Sequence, residues 1–182
     1  MSKLGELKEI LKKLIAIPSV TGNEHDIAIY IADYLRQCGV DSVELQPVEG
    51  NRLNVVAHLK GEKVGPVVLL TGHMDTVAPG EGWRTDPFKA TERDGRIYGR
   101  GAADMKGGIA AILVAIRNAA AQREQMRGEA IIAFVCDEEA YSKGVDALIR
   151  SGIRADYGIA AEPEWDAVIG AVGKMLIKVR VY

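Results

Sequence analysis

The chain has 182 residues, 48% hydrophobic and 26% charged, with a formal net charge of −2. That length fits one domain with a real core, and the composition excludes wholesale disorder. With 23 Lys and Arg against 25 Asp and Glu there is no global basic field for nucleic acid. No apolar run nears the ~20 residues of a membrane span, and the first residues mix charges through their apolar positions, unlike a signal peptide. Two cysteines, Cys38 and Cys136, make no disulfide framework. The cytoplasm is the expected location.

In chain order, Leu4, Leu7, Leu11 and Leu14 recur at helical spacing and Pro18 stops that helix. A second helix begins near Asn23 as N-cap, carries Ile27, Ile31 and Leu35 on one face, and ends before Gly39 at C′. Residues 43–48 and 53–59 read as strands joined by the turn Glu49-Gly50-Asn51. Residues 66–71, PVVLLT, are apolar on both faces, as in a central strand.

After a loop over 78–88, Asp94-Gly95 marks a short hairpin. A helix is expected from about Met105 to Ala121, a buried strand over 130–136 and a helix over 145–149. Strands over 157–160 and 167–171 complete the alternation, which predicts a three-layer α/β domain. Residues 175–182 alternate like a half-buried strand that has no partner after it, so the sequence reads as interrupted.

Four polar clusters each follow an apolar strand or open a helix, where ligands gather in open α/β sheets. His73 and Asp75 follow VVLLTG, and alternation turns both side chains to one side. A carboxylate beside a metal-bound imidazole commonly takes its other N–H. Asp104 sits in GRGAADMKGG, ahead of a helix. That run is no dinucleotide fingerprint, since a carboxylate would face pyrophosphate, and no P-loop, since no Gly-Lys-Ser/Thr occurs.

Asp137-Glu138-Glu139 ends a buried strand, where three carboxylates repel unless a cation or proton intervenes. Glu162-Pro163 ends another. Singly, each has a plain reading as a surface histidine, a helix cap, an acidic loop or a turn. Together they form an N/O donor set suited to zinc, cobalt or manganese. A nucleophilic alternative would need Cys136 or a serine beside a histidine. His25 lies on an amphipathic helix and His58 within a strand, so neither is an obvious base.

The ordered motifs GHMDTV (72–77), GRGAADMKG (99–107), DEE (137–139) and EP (162–163) resemble the acetylornithine deacetylase, succinyl-diaminopimelate desuccinylase and aminoacylase family of two-metal hydrolases. The resemblance implies a zinc-peptidase-like domain with a mixed central sheet. It assigns His73 and Glu162 to one metal, Glu139 to the second, and Asp104 as the bridge between them. Asp75 would orient His73, and Glu138 would be the general base that deprotonates a metal-bridging water. It also implies a cis peptide at Asp104–Met105. The expected ions are Zn2+, two per complete site, with Co2+ or Mn2+ as alternatives.

The implied substrate is a small N-acyl amino acid, such as acetylornithine or succinyl-diaminopimelate, or a short peptide for a dipeptidase or carboxypeptidase. By the same resemblance, residues 1–173 are the N-terminal portion of the catalytic domain. Residues 174–182 are the first strand of a lid, and a final histidine ligand of the second metal lies beyond this sequence. The isolated chain is expected to be inactive, or to act as a metal-binding fragment that another chain completes. No nucleic acid or membrane partner is expected, but copies are expected to pair through the C-terminal strand.

Overall fold

The structure, a computed structural model, describes residues 2–163. Helix α1 spans Lys3–Ala16, and the Ser2 hydroxyl accepts the Gly5 N–H at 3.2 Å to cap it. Helix α2 spans His25–Gln37. Its N-cap is Glu24 rather than the expected Asn23, and the Glu24 carboxylate makes no cap bond because Arg52 takes it. Gly39 follows at φ 75°, the left-handed conformation a C′ glycine adopts.

Strands β1 (Ser42–Glu49), β2 (Arg52–Lys60) and β3 (Lys63–His73) come next. β3 is longer than its apolar stretch, and Pro66 sits where its register with a neighbour shifts, a position that needs no N–H. The hairpin β4 (Thr91–Arg93) and β5 (Arg96–Tyr98) turns at Asp94-Gly95 as expected. Then follow α3 (Gly107–Ala120), β6 (Arg127–Val135), α4 (Lys143–Arg150) and β7 (Tyr157–Ala160).

The sheet order is β1-β2-β6-β3-β7. β1, β2 and β6 are successively antiparallel, while β3 runs parallel to both β6 and β7. The sheet is therefore mixed, as expected. Alternation along β2 and β6 sends residues to two cores. Val55, Ala57, Leu59, Ala130, Ile132 and Phe134 pack with residues of α1, α2 and α3, whereas Val56, Ile131, Ala133 and Val135 pack with Leu148 of α4. Helices thus cover both faces of the sheet, giving three layers. Each large apolar side chain buried this way contributes ~1.5–3 kcal/mol.

The parallel trio matters most for function. β3, β6 and β7 end side by side, with His73 opposite Val135 and Thr71 opposite Ala160. Their carboxyl ends therefore deliver three of the four polar clusters to one edge. The expected strand over 167–171 and the segment 174–182 lie outside the described residues.

Candidate metal centre

His73 is the last residue of β3 and 2% exposed. Its Nδ1 lies 2.9 Å from the backbone carbonyl of Asp75. A carbonyl can only accept, so Nδ1 carries a proton and Nε2 is the atom that faces the cluster. Nε2 lies 2.9 Å from Asp104 Oδ1 and 3.8 Å from Glu162 Oε2. One ligand atom from each of His73, Asp104 and Glu139 falls within 4.8 Å of the others.

The expected helix from Met105 does not begin there. Residues Ala102–Lys106 form a wide turn in which Asp104 (φ −114°, ψ 101°) and Met105 (φ −129°, ψ 30°) leave helical geometry. A regular first turn would hold Asp104 as a cap; the wide turn instead brings its carboxylate to His73 Nε2. The Asp104–Met105 peptide is cis, as the resemblance implied. Met105 Sδ accepts the His73 N–H at 3.0 Å and fills the space that Gly72 leaves without a Cβ. Gly108 likewise lets the backbone of Ala161 approach, which brings Glu162 toward the site.

Asp75 makes more contacts than the expected one to His73. Its carboxylate is 3.6 Å from His73 Nδ1, farther than its own carbonyl. The carboxylate also accepts the N–H groups of Glu138 at 3.0 Å and Glu139 at 3.1 Å, and the Thr21 hydroxyl at 2.9 Å. One buried residue therefore ties the β3 terminus, which bears His73, to the acidic turn after β6. Thr21, which the sequence did not single out, braces it, and Ser19 Oγ donates to the Met74 carbonyl alongside.

The electrostatics call for a cation. Burial pulls the His73 imidazole down, but Asp75, Asp104 and Glu162 outweigh it and raise its pKa to about 9. Burial pushes Asp75 up, yet His73 and the two amide donors hold it below the usual carboxylate range. Glu139 is raised by burial and by the charges of Asp104, Glu138 and Asp75, with His73 opposing. The imidazolium thus holds together carboxylates that otherwise repel. A nitrogen and several oxygens converging this way fit a divalent ion of the zinc, cobalt or manganese type.

Other features sit elsewhere. A cleft of about 300 Å3 between Trp83, Arg93 and Tyr98 contains none of these residues, so the donor cluster and not this cleft places the chemistry. Arg100 stacks on Trp83 at 5.4 Å. The nucleophile alternative finds no support in geometry. His25 pairs with Asp26, His58 pairs with Glu129, and Cys136 is fully buried. Burial, aided by the Glu24 charge, pushes the Cys136 thiol up to about 12. A thiol reagent at pH 8 should therefore reach Cys136 only after denaturation, and fast labelling of the native chain at Cys136 would contradict this burial.

A histidine and carboxylate cluster that could hold a divalent metal, at the carboxyl edge of a mixed α/β sheet, fits a metallohydrolase type of domain. Residues 69–178 match the family model described as peptidase family M20/M25/M40, and the chain belongs to that family. It is 38% identical over 173 residues to a succinyl-diaminopimelate desuccinylase of Bordetella avium, covering 91% of this chain and 45% of that protein. It is 36% identical over 167 residues to the enzyme of the same description from Nautilia profundicola, covering 89% of this chain and 43% of the relative. The chain thus spans under half the length of these curated relatives.

Among solved structures it is similar to human carnosine dipeptidase 1, with a TM-score of 0.74 and 25% identity over 86% of this chain and 38% of that one. It is also similar to the aminopeptidase PepT of Bacillus cereus, with a TM-score of 0.71 and 28% identity over 88% of this chain and 43% of that one. Among the described residues no helix is long and apolar enough to cross a membrane.

Proposed function

We propose that this chain carries the metal-binding part of the active site of an amide hydrolase acting on small N-acyl amino acids, with N-succinyl amino acids as the leading class. The observation that carries this reading is the convergence of His73, Asp104 and Glu139 within 4.8 Å, with Glu162 on His73 and the Glu138 amide on Asp75. The desuccinylase relatives, matched over about nine-tenths of the chain, favour the substrate class.

His73 and Glu162 would hold one zinc ion and Glu139 a second, with Asp104 between them. A divalent ion held there would supply Lewis-acid polarisation of the scissile carbonyl and a more acidic water. Glu138 takes the proton of the attacking water and hands it to the leaving amine nitrogen. Asp75 keeps Glu138 and Glu139 in place through their backbone N–H groups. In this reading residues 1–173 belong to the catalytic domain. The dipeptidase and aminopeptidase neighbours favour a second reading, hydrolysis of short peptides at the same site.

Calorimetric titration of the metal-stripped chain with zinc tests the site directly. Tight binding that disappears in Asp104→Ala is expected. Absence of a zinc site in the unmodified chain, or equal binding by the variant, would overturn the assignment. Assays with N-succinyl amino acids and dipeptides then separate the two substrate classes.

A further inference from the structure

The register Val55 to Phe134 places the start of antiparallel β2 beside the exit of β6, so Arg52 lies next to Asp137. Arg52 is 9% exposed, Glu24 is fully buried and Asp137 is 1% exposed. Arg52 donates from Nε to Glu24 Oε2 at 2.9 Å and from NH2 to Glu24 Oε1 at 2.5 Å. The same NH2 reaches Asp137 Oδ1 at 2.8 Å. Glu49 lies farther out, 3.8 Å from NH1 and mostly exposed.

Asp137 needs a clamp. Its φ of 68° is a left-handed conformation that a residue with a Cβ adopts at a cost. Its free carboxylate oxygen accepts the N–H groups of Tyr141 at 3.2 Å and Lys143 at 3.1 Å, and its carbonyl accepts that of Ser142 at 2.7 Å. Asn54, two residues beyond Arg52, accepts the Cys136 N–H at 3.1 Å and donates to the Gly144 carbonyl at 2.8 Å. Both ends of the acidic turn are thereby tied to β2.

We propose that Arg52, locked by Glu24 and Asp137, is a positioning residue that fixes the turn from which Glu138 and Glu139 project. The roles of those two glutamates rest on the function proposed above. The turn has two holds: Asp75 grips the Glu138 and Glu139 amides from β3, and Arg52 grips the preceding residue from β2. Only a planar fork can pair bidentately with Glu24 and still reach Asp137, so a lysine ammonium cannot substitute. A buried ion triad with no bearing on the site is the competing account, and it predicts loss of stability alone.

The test uses Arg52→Lys in the whole chain, with Leu35→Ala as a variant that destabilises the α2 core without touching the turn. Amide exchange of the metal-free protein should show Glu138 and Glu139 losing about tenfold or more of their protection in Arg52→Lys, while β6 core amides keep theirs. Zinc affinity should fall about 10–100-fold, the usual cost of losing a residue that orients ligands, whereas Leu35→Ala should keep its affinity. Unchanged exchange at Glu138 and Glu139 in Arg52→Lys would overturn the proposal. So would an equal loss of zinc affinity in Leu35→Ala.

Should Arg52→Lys fail to fold, Glu24→Gln decides the same point, because it loosens the Arg52 fork and leaves the bonds of Asp137 to the Tyr141 and Lys143 amides in place. If the unmodified chain takes up no zinc, the proposed function falls by itself. The exchange comparison still decides whether Arg52 holds the turn.

Discussion

Glu138→Ala should leave metal binding intact and lower hydrolysis by about 10²–10⁴-fold, the span a lost general base usually costs. This comparison requires a protein whose hydrolysis of an N-succinyl amino acid is measurable. Glu139→Ala, one residue on, should instead lose metal. Both amides sit on Asp75 and both carboxyls follow the same strand, so sequence position does not separate them. Their surroundings do. Glu139 supplies an oxygen to the cluster with His73 and Asp104, and its pKa is raised by burial and by Asp104. An oxygen in that position is released from its repulsion by a bound cation.

Glu138 lies outside that cluster, so its removal takes no ligand atom from it. Loss of Glu139 should therefore weaken metal binding by more than the ~10–100-fold that changes around a ligand cost. Metal content of the purified variants and turnover of an N-succinyl amino acid read the two effects separately. Equal metal content and equal activity in both variants would sink the division of labour. So would full metal retention in Glu139→Ala.

Local chemistry made much of this site legible in the sequence. His73, Asp104, Glu139 and Glu162 each mark the end of an apolar run or the start of a helix, and parallel strands bring such ends together. The Asp94-Gly95 hairpin was readable from its turn residues, and β7 from the α/β alternation it completes. What stayed hidden depends on partners far away in the chain. The Asp75 carboxylate lies beside the imidazole and also accepts the amides of residues 63 and 64 positions later, a hold that no local pattern reveals.

Neither Glu24 nor Arg52 carries a local mark of its contacts, which arise only when β2 pairs with β6. Asn23 lost the N-cap position to a residue whose side chain was already committed. The start of α3 shows the opposite conflict. Helical periodicity continues back to Met105, but the need to turn Asp104 toward His73 overrides it.

Lys106→Met should lower stability by about 2–4 kcal/mol, and Lys106→Ala by enough to leave the chain barely folded. Lys106 is fully buried, and its Nζ donates to the Leu14 carbonyl at 2.9 Å and the Ile17 carbonyl at 2.8 Å. These carbonyls lie at the C-terminal end of α1, where the helix dipole favours a cation. Burial pushes the ammonium down to about 8, so it is still charged at neutral pH.

A hydrogen bond to a charged group contributes ~1.5–3 kcal/mol net. The Leu14 carbonyl keeps the Ile17 N–H at 3.2 Å after the change, so the methionine variant falls between the loss of one such bond and the lower part of the ~3–6 kcal/mol of two. Alanine also empties the space of the buried stem, adding ~2–5 kcal/mol. Against a total stability of about 5–15 kcal/mol, that second loss is most of the margin. For a chain of this length the methionine variant should melt roughly 5–15 °C lower. A methionine variant as stable as the parent would show that burying the ammonium costs as much as its two bonds return, as happens for some buried charges. The turn that presents Asp104 would then owe its shape to packing against Thr76 and Met105 rather than to the anchor beneath α1.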